Sequence, residues 1–66
     1  LKGRLRELRE AAGLSQKALG ERVGVSRQAI NAIENAKHVP SLDLAFRIAA
    51  VFSTPTEEIW PNPHRG

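Results

Sequence analysis

Residues 14–35 read Leu-Ser-Gln-Lys-Ala-Leu-Gly-Glu-Arg-Val-Gly-Val-Ser-Arg-Gln-Ala-Ile-Asn-Ala-Ile-Glu-Asn, and one construction occurs twice within them. Ser15 can cap a helix, its hydroxyl accepting from an otherwise unpaired backbone N–H, with Leu14 and Leu19 at the two positions of a hydrophobic staple. Ser26 repeats this with Val25 and Ile30. Between the two, Gly24 supplies the positive φ that a tight reversal needs. The stretch therefore predicts two short helices joined by Gly24-Val25-Ser26, a helix-turn-helix. Ala18 and Gly20 are small enough for a crossing helix to approach closely, and Leu19, Val23, Val25, Ile30 and Ile33 supply the apolar contacts between the pair.

Outward from this pair, each flank reads as helix. At 100° per residue, Leu1, Leu5, Leu8 and Ala12 fall within about 40° of one another while Lys2, Arg6 and Glu10 point away, and Gly13 ends the segment. Pro40-Ser41 opens a fourth helix with Ser41 as cap and Asp43 in the first turn, where the helix dipole favours an anion. Its apolar arc of Leu42, Leu44, Ala45, Phe46, Ile48, Ala49, Val51 and Phe52 spans roughly 220°, leaving Asp43, Arg47 and Ala50, so it needs cover on most sides. Thr54-Pro55-Thr56-Glu57 fits a capping box with proline at the first helical position, and Pro61 and Pro63 end this last segment by Trp60. No segment alternates with the period of a strand. The expected fold is all-α with five helices, a single domain over residues 1–60 and a tail over 61–66.

At 66 residues the chain is about half a typical domain, with a small core and no room for a separate effector domain. The absence of cysteine excludes disulfides and thiolate metal sites and suits a reducing cytoplasm. His38 and His64 have no second ligand at helical spacing, so no metal is expected. No apolar run approaches the ~18 residues of a membrane span, and no signal peptide is read. Of the net charge of +3, the positive part sits early. Lys2, Arg4, Arg6, Arg9, Lys17, Arg22, Arg27 and Lys37 face only Glu7, Glu10, Glu21 and Glu34 within the first forty residues, whereas Arg47 and Arg65 are outnumbered by Asp43, Glu57 and Glu58. Such a distribution steers a polyanion toward the first part of the chain, or is simply a solvated basic surface.

The third helix narrows this choice. Arg27, Gln28, Asn31, Ala32 and Asn35 share an arc of about 140°, opposite Ala29, Ile30 and Ile33. That face is polar, cationic and free of carboxylates. Arginine pairs with the guanine edge, glutamine and asparagine with adenine, and alanine touches a thymine methyl, so the face suits the major groove of DNA. The start of the second helix, with Gln16 and the N–H groups after Ser15, suits phosphate. Enzymatic chemistry and cofactors are not expected: there is no Gly-rich phosphate loop, His38 has no partner for base catalysis, and Ser15, Ser26 and Ser41 are accounted for as caps.

The run from Arg4 to Gly13, then Gly13-Leu14-Ser15-Gln16, Gly24-Val25-Ser26, Ile30, Ile33-Glu34-Asn35, Pro40-Ser41-Leu42 and Ile48-Ala49, resembles the phage repressor and Cro type of helix-turn-helix, the xenobiotic-response-element family of prokaryotic regulators. The resemblance covers about residues 2–60. It implies a compact five-helix lambda/434-repressor-like domain. It further implies a recognition helix whose Arg27, Gln28, Asn31 and Ala32 read bases, phosphate contacts from Gln16, Ser26, Asn35 and Lys37 with His38 nearby, and a structural ion pair between Arg9 and Glu34. Lys17 and Arg22 are taken as solvated charges. One such helix reads half a site, so a homodimer on a palindromic operator is expected, with Phe52, Ile59 and Trp60 as interface candidates, although Trp60 can equally fill the chain's own core. The function implied is a DNA-binding transcriptional regulator acting as a cytoplasmic, nucleoid-associated repressor. An antitoxin with a protein partner, or an interaction module that does not bind DNA, are the alternatives.

Two departures from the family carry structural expectations. Ala36 stands where glycine usually ends the recognition helix, so either Asn35 turns left-handed or Ala36 bears a strain of roughly 1 kcal/mol. Ser53-Thr54-Pro55 replaces the more usual Gly-Val-Ser, which moves the cap of the fifth helix to Thr54. The tail after Trp60 is also unlike the family's usual ending, which leaves the dimer geometry open.

Overall fold

A computed structural model describes residues 3–64, and these form five helices: α1 (Leu5–Ala11), α2 (Gln16–Val23), α3 (Arg27–Glu34), α4 (Leu42–Val51) and α5 (Thr56–Ile59). The serine caps form as expected. Ser15 Oγ accepts from the Ala18 N–H at 2.9 Å, Ser26 Oγ from Ala29 at 3.1 Å and Ser41 Oγ from Leu44 at 3.2 Å. The core gathers Leu5, Leu19, Val23, Ile30, Ile33, Leu44, Ala45, Ile48, Ala49, Ile59 and Trp60, with Leu8, Val25, Val51 and Phe52 partly buried against it. α2 and α3 make the most extensive contact, and α4 bridges α2 to α5. The Arg4 N–H donates to the Ile59 carbonyl at 2.7 Å, which ties the start of α1 to the end of α5. No helix among the described residues is long and apolar enough to cross a membrane.

Gly20 of α2 packs against the backbone of the turn that leads into α3. A Cβ built on it would stand 2.6 Å from the Val25 carbonyl oxygen and 3.3 Å from the Ser26 backbone, so it is the turn, rather than the body of α3, that lies against this residue. Ala18 is half-buried.

Three helices end in the same Schellman arrangement, in which two N–H groups beyond the helix return to its last free carbonyls. Gly13 and Leu14 donate to Glu10 and Arg9, Ala36 and Lys37 to Ile33 and Ala32, and Ser53 and Thr54 to Ala50 and Ala49. The motif requires a left-handed residue. Only the first site has glycine; Ala36 sits at φ 59° and Ser53 at φ 49°. Asn35 keeps φ −90°, so Ala36 bears the strain. Replacing Ala36 by glycine is expected to raise stability by about 1 kcal/mol, the relief of the left-handed Cβ exceeding the entropy added to the unfolded chain. A urea titration followed by fluorescence of the single, buried tryptophan measures it directly.

Several expectations are corrected. Thr54 does not cap α5: its N–H closes the end of α4 and its hydroxyl donates to the Phe52 carbonyl at 2.9 Å, while Pro55, extended at ψ 145°, holds the cap position without a side-chain bond. Ala12 is exposed because α1 has already ended at Ala11, which takes it off the apolar stripe. The broad arc of α4 is only partly covered, with Leu42 and Phe46 left in solvent. Ile59 and Trp60 are buried in the chain's own core and Phe52 is half-buried. Leu1, Lys2 and Arg65 lie outside the described residues.

Candidate nucleic-acid interface

The outward side of α3 and the start of α2 meet in a shallow concavity lined by Gln16, Arg27, Gln28 and Asn31. Arg27, Gln28 and Asn31 are exposed, while Ala32 and Gln16 are half-buried. Helix spacing explains the grouping: Arg27, Gln28, Asn31 and Ala32 recur at three- and four-residue intervals, and Ile30 and Ile33 on the opposite side are sunk in the core. The first N–H groups of α2, which no helical carbonyl can reach, open beside the same concavity. Ser26 is exposed, and its O–H remains available as a donor while its oxygen caps α3. Lys37 and His38 are exposed on the loop that follows.

Beneath this surface a charged cluster fixes the angle between elements. Arg9 Nε donates to Glu34 Oε2 at 2.6 Å and Arg9 Nη2 to Glu34 Oε1 at 3.2 Å, a two-pronged pair whose side chains are 11% and 3% exposed. Arg9 Nη1 also donates to the Leu14 carbonyl at 2.8 Å. The hydrogen bond that Arg9 donates to Glu34 raises the Arg9 pKa above its ordinary value, against the opposing effect of burial. Because Glu34 is neutralised and covered, the face that α3 shows to solvent carries Arg27 and no exposed carboxylate. α1, the α1–α2 turn and the last turn of α3 are held at one point.

Two side chains of the interface are already engaged. Gln16 Nε2 donates to Glu34 Oε1 at 3.1 Å, so its amide is anchored from below and retains one N–H for an anion above. Asn35 Nδ2 donates to both the carbonyl and Oδ1 of Asn31, at 3.0 and 3.2 Å. Asn31 Oδ1 thus has one of its two acceptor positions occupied, while its N–H donors remain available. Neither link is readable from spacing, because an amide's partner depends on the approach of a second element or on rotamer choice.

Arg47 was read from sequence as a charge on the polar side of α4. In the fold its Nη1 donates to the Val23 carbonyl at 2.6 Å, and its Nε pairs with Asp43 at 3.0 Å. It thereby satisfies the carbonyl end of α2 just before the turn, where a cation is favoured. The left-handed Gly24 marks that end as needing a partner, but nothing local says it comes from residue 47.

This geometry has close counterparts. A Helix-turn-helix family model, HTH_3, matches residues 5–59. An uncharacterized HTH-type transcriptional regulator of Bacillus subtilis, YgzD, is 47% identical over 60 residues, covering 91% of each chain. MJ0272 of Methanocaldococcus jannaschii, also named as an HTH-type transcriptional regulator, is 45% identical over the same length and coverage. Among solved structures, the P22 c2 repressor in complex with a synthetic operator superposes with TM-score 0.82 at 25% identity, over 89% of this chain and 91% of that one. The restriction-modification controller protein C.AhdI of Aeromonas hydrophila gives TM-score 0.77 at 34% identity, over 83% of each. With its turn, its capped helix pair and a match that spans all five described helices, the chain belongs to the HTH_3 helix-turn-helix family of repressor-type, DNA-binding transcriptional regulators rather than to a class of enzymes.

Proposed function

We propose that the chain is a sequence-specific repressor that acts by occupying an inverted-repeat operator as a homodimer, in the cytoplasm and on the nucleoid. The observation that carries this reading is the concavity of Gln16, Arg27, Gln28 and Asn31, a cationic face without carboxylates at the start of α2. In this reading Arg27, Gln28, Asn31 and Ala32 contact base edges in the major groove, and Gln16, Ser26, Asn35 and Lys37 contact phosphates.

The test is selection of bound duplexes from a randomised pool, with the affinity of the winner followed against salt. Recovery of an inverted repeat with half-sites one helical turn apart and a steep negative salt slope is the expected result. On that duplex, Arg27→Ala and Gln28→Ala should each cost about 1–3 kcal/mol and relax the base preference, whereas Gln16→Ala weakens all sequences alike. Equal losses on selected and random duplexes for all three variants overturn the assignment of base readers.

A further inference from the structure

Asn35, the residue that follows α3, holds the side chain of Asn31 in one orientation. Asn35 Nδ2 donates to the backbone carbonyl of Asn31 at 3.0 Å and to Asn31 Oδ1 at 3.2 Å. The first of these partners cannot turn, because the helix fixes that carbonyl, which also accepts from the Asn35 backbone N–H at 3.0 Å. It therefore selects the NH2 side of the Asn35 amide; the opposite rotamer sets the Asn35 oxygen against the carbonyl, acceptor to acceptor. The donor so placed then selects the Oδ1 side of Asn31 and leaves Asn31 Nδ2 on the other edge of its amide. Orientation passes from the backbone to Asn35, and from Asn35 to Asn31. The two residues also stand on different sides of the surface. Asn31 lines the concavity with Gln16, Arg27 and Gln28, whereas Asn35 lines a separate hollow with Arg6, Glu7 and Glu10 of α1.

We propose that Asn35 is a positioning residue for base readout: it holds the donor–acceptor order of the Asn31 amide and so sets the base preference at the one position that Asn31 meets, without itself touching a base. The inference rests on the reading of the chain as a sequence-specific DNA-binding protein. An unsupported asparagine amide turns over between two orientations of similar energy and meets a donor or an acceptor on a base edge with equal ease, so it discriminates poorly. A held amide loses its bond to Asn35 when it turns over, donor then facing donor, and that loss falls on the wrong base. Both amides are exposed, and in water a pair four positions apart on a helix contributes little. Against DNA, where water is excluded, the same bond is stronger and its loss costlier. This role is separable from the phosphate contact assigned to Asn35 above. A phosphate contact acts on every sequence alike, whereas the hold on Asn31 acts only on the ranking of bases at one position.

The experiment measures the affinities of the wild type, Asn35→Ala, Asn31→Ala and the double variant for the selected duplex and for duplexes carrying each other base at each position in turn. Unchanged circular dichroism confirms that each variant folds. Asn35→Ala should narrow the spread among the four bases by about threefold or more at the position where Asn31→Ala narrows it. It should leave the ranking elsewhere unchanged and add no further narrowing when Asn31 is already alanine. Asn35→Asp keeps the shape but can only accept, so it engages Asn31 Nδ2 in place of Oδ1; it should change the ranking at that same position, on top of a uniform loss from its charge. A loss from Asn35→Ala that is equal on all duplexes, with the spread intact, overturns the proposal and leaves Asn35 a phosphate contact alone. A ranking that Asn35→Asp leaves unchanged, or a wild type whose preferences nowhere depend on Asn31, overturns it as well. If the wild type selects no duplex, the function proposed above fails and takes this role with it, an outcome told apart from the others by the absence of any preferred sequence.

Discussion

Glu34→Ala is expected to cost about 3–5 kcal/mol, because it leaves the Arg9 guanidinium nearly buried with a single carbonyl partner. A domain of this length has roughly 3–10 kcal/mol of stability in all, so the variant should be largely unfolded at physiological temperature. Most of that loss is the desolvation of an unpaired charge rather than the worth of the pair. Replacing both members, as Arg9→Met with Glu34→Leu, is accordingly expected to lie within about 2 kcal/mol of the wild type. Urea titrations of the wild type, Glu34→Ala and the double variant, read through Trp60 fluorescence, measure both effects. A double variant as unstable as Glu34→Ala would show that the cluster's importance lies in geometry that apolar groups cannot replace. The carboxylate also anchors Gln16, so Glu34→Gln is the variant in which to ask whether phosphate affinity falls while the fold survives.

Gly20→Ala should destabilise by about 2 kcal/mol, and Gly20→Val by about 3 or more, despite the gain of roughly 1 kcal/mol that alanine normally brings to a helix interior. The atoms in the way are the Val25 carbonyl oxygen and the Ser26 backbone, which cannot swing aside as a side-chain tip would. The control is Gly13→Ala, where a Cβ has open space around it and only the left-handed φ of 71° is penalised, at about 1 kcal/mol. If Gly20→Ala proved no worse than Gly13→Ala, the turn would have to be far more yielding than its hydrogen-bonded geometry suggests. Folded Gly20→Ala protein should also bind DNA more weakly, since the obstructed turn is what aims α3.

The repeated serine caps and apolar staples made five helices and the turn legible, because each is a local device whose residues lie within a few positions. The outward face of α3 was legible for the same reason. What escaped the sequence was long-range or strained. Arg47 reaches the end of α2 across 24 positions, and Gln16 meets Glu34 across 18. Thr54 has the composition of a cap, yet α4 needs its N–H first; two neighbouring helices competed for one residue, and a pattern read from one side does not show the competition. For Trp60 the sequence left both an interface and a place in the core open, because a short terminal helix gives no periodicity from which to infer which side is covered.

The length of α3 has a consequence for how much the protein can know. Eight residues rise about 12 Å, little more than three or four base steps. A word of that size recurs by chance roughly once in every few hundred base pairs, which addresses thousands of places in a genome and therefore none in particular. One copy, however well its four side chains are aimed, carries about eight bits at most; a second word at a fixed distance doubles the information without adding a residue to the chain.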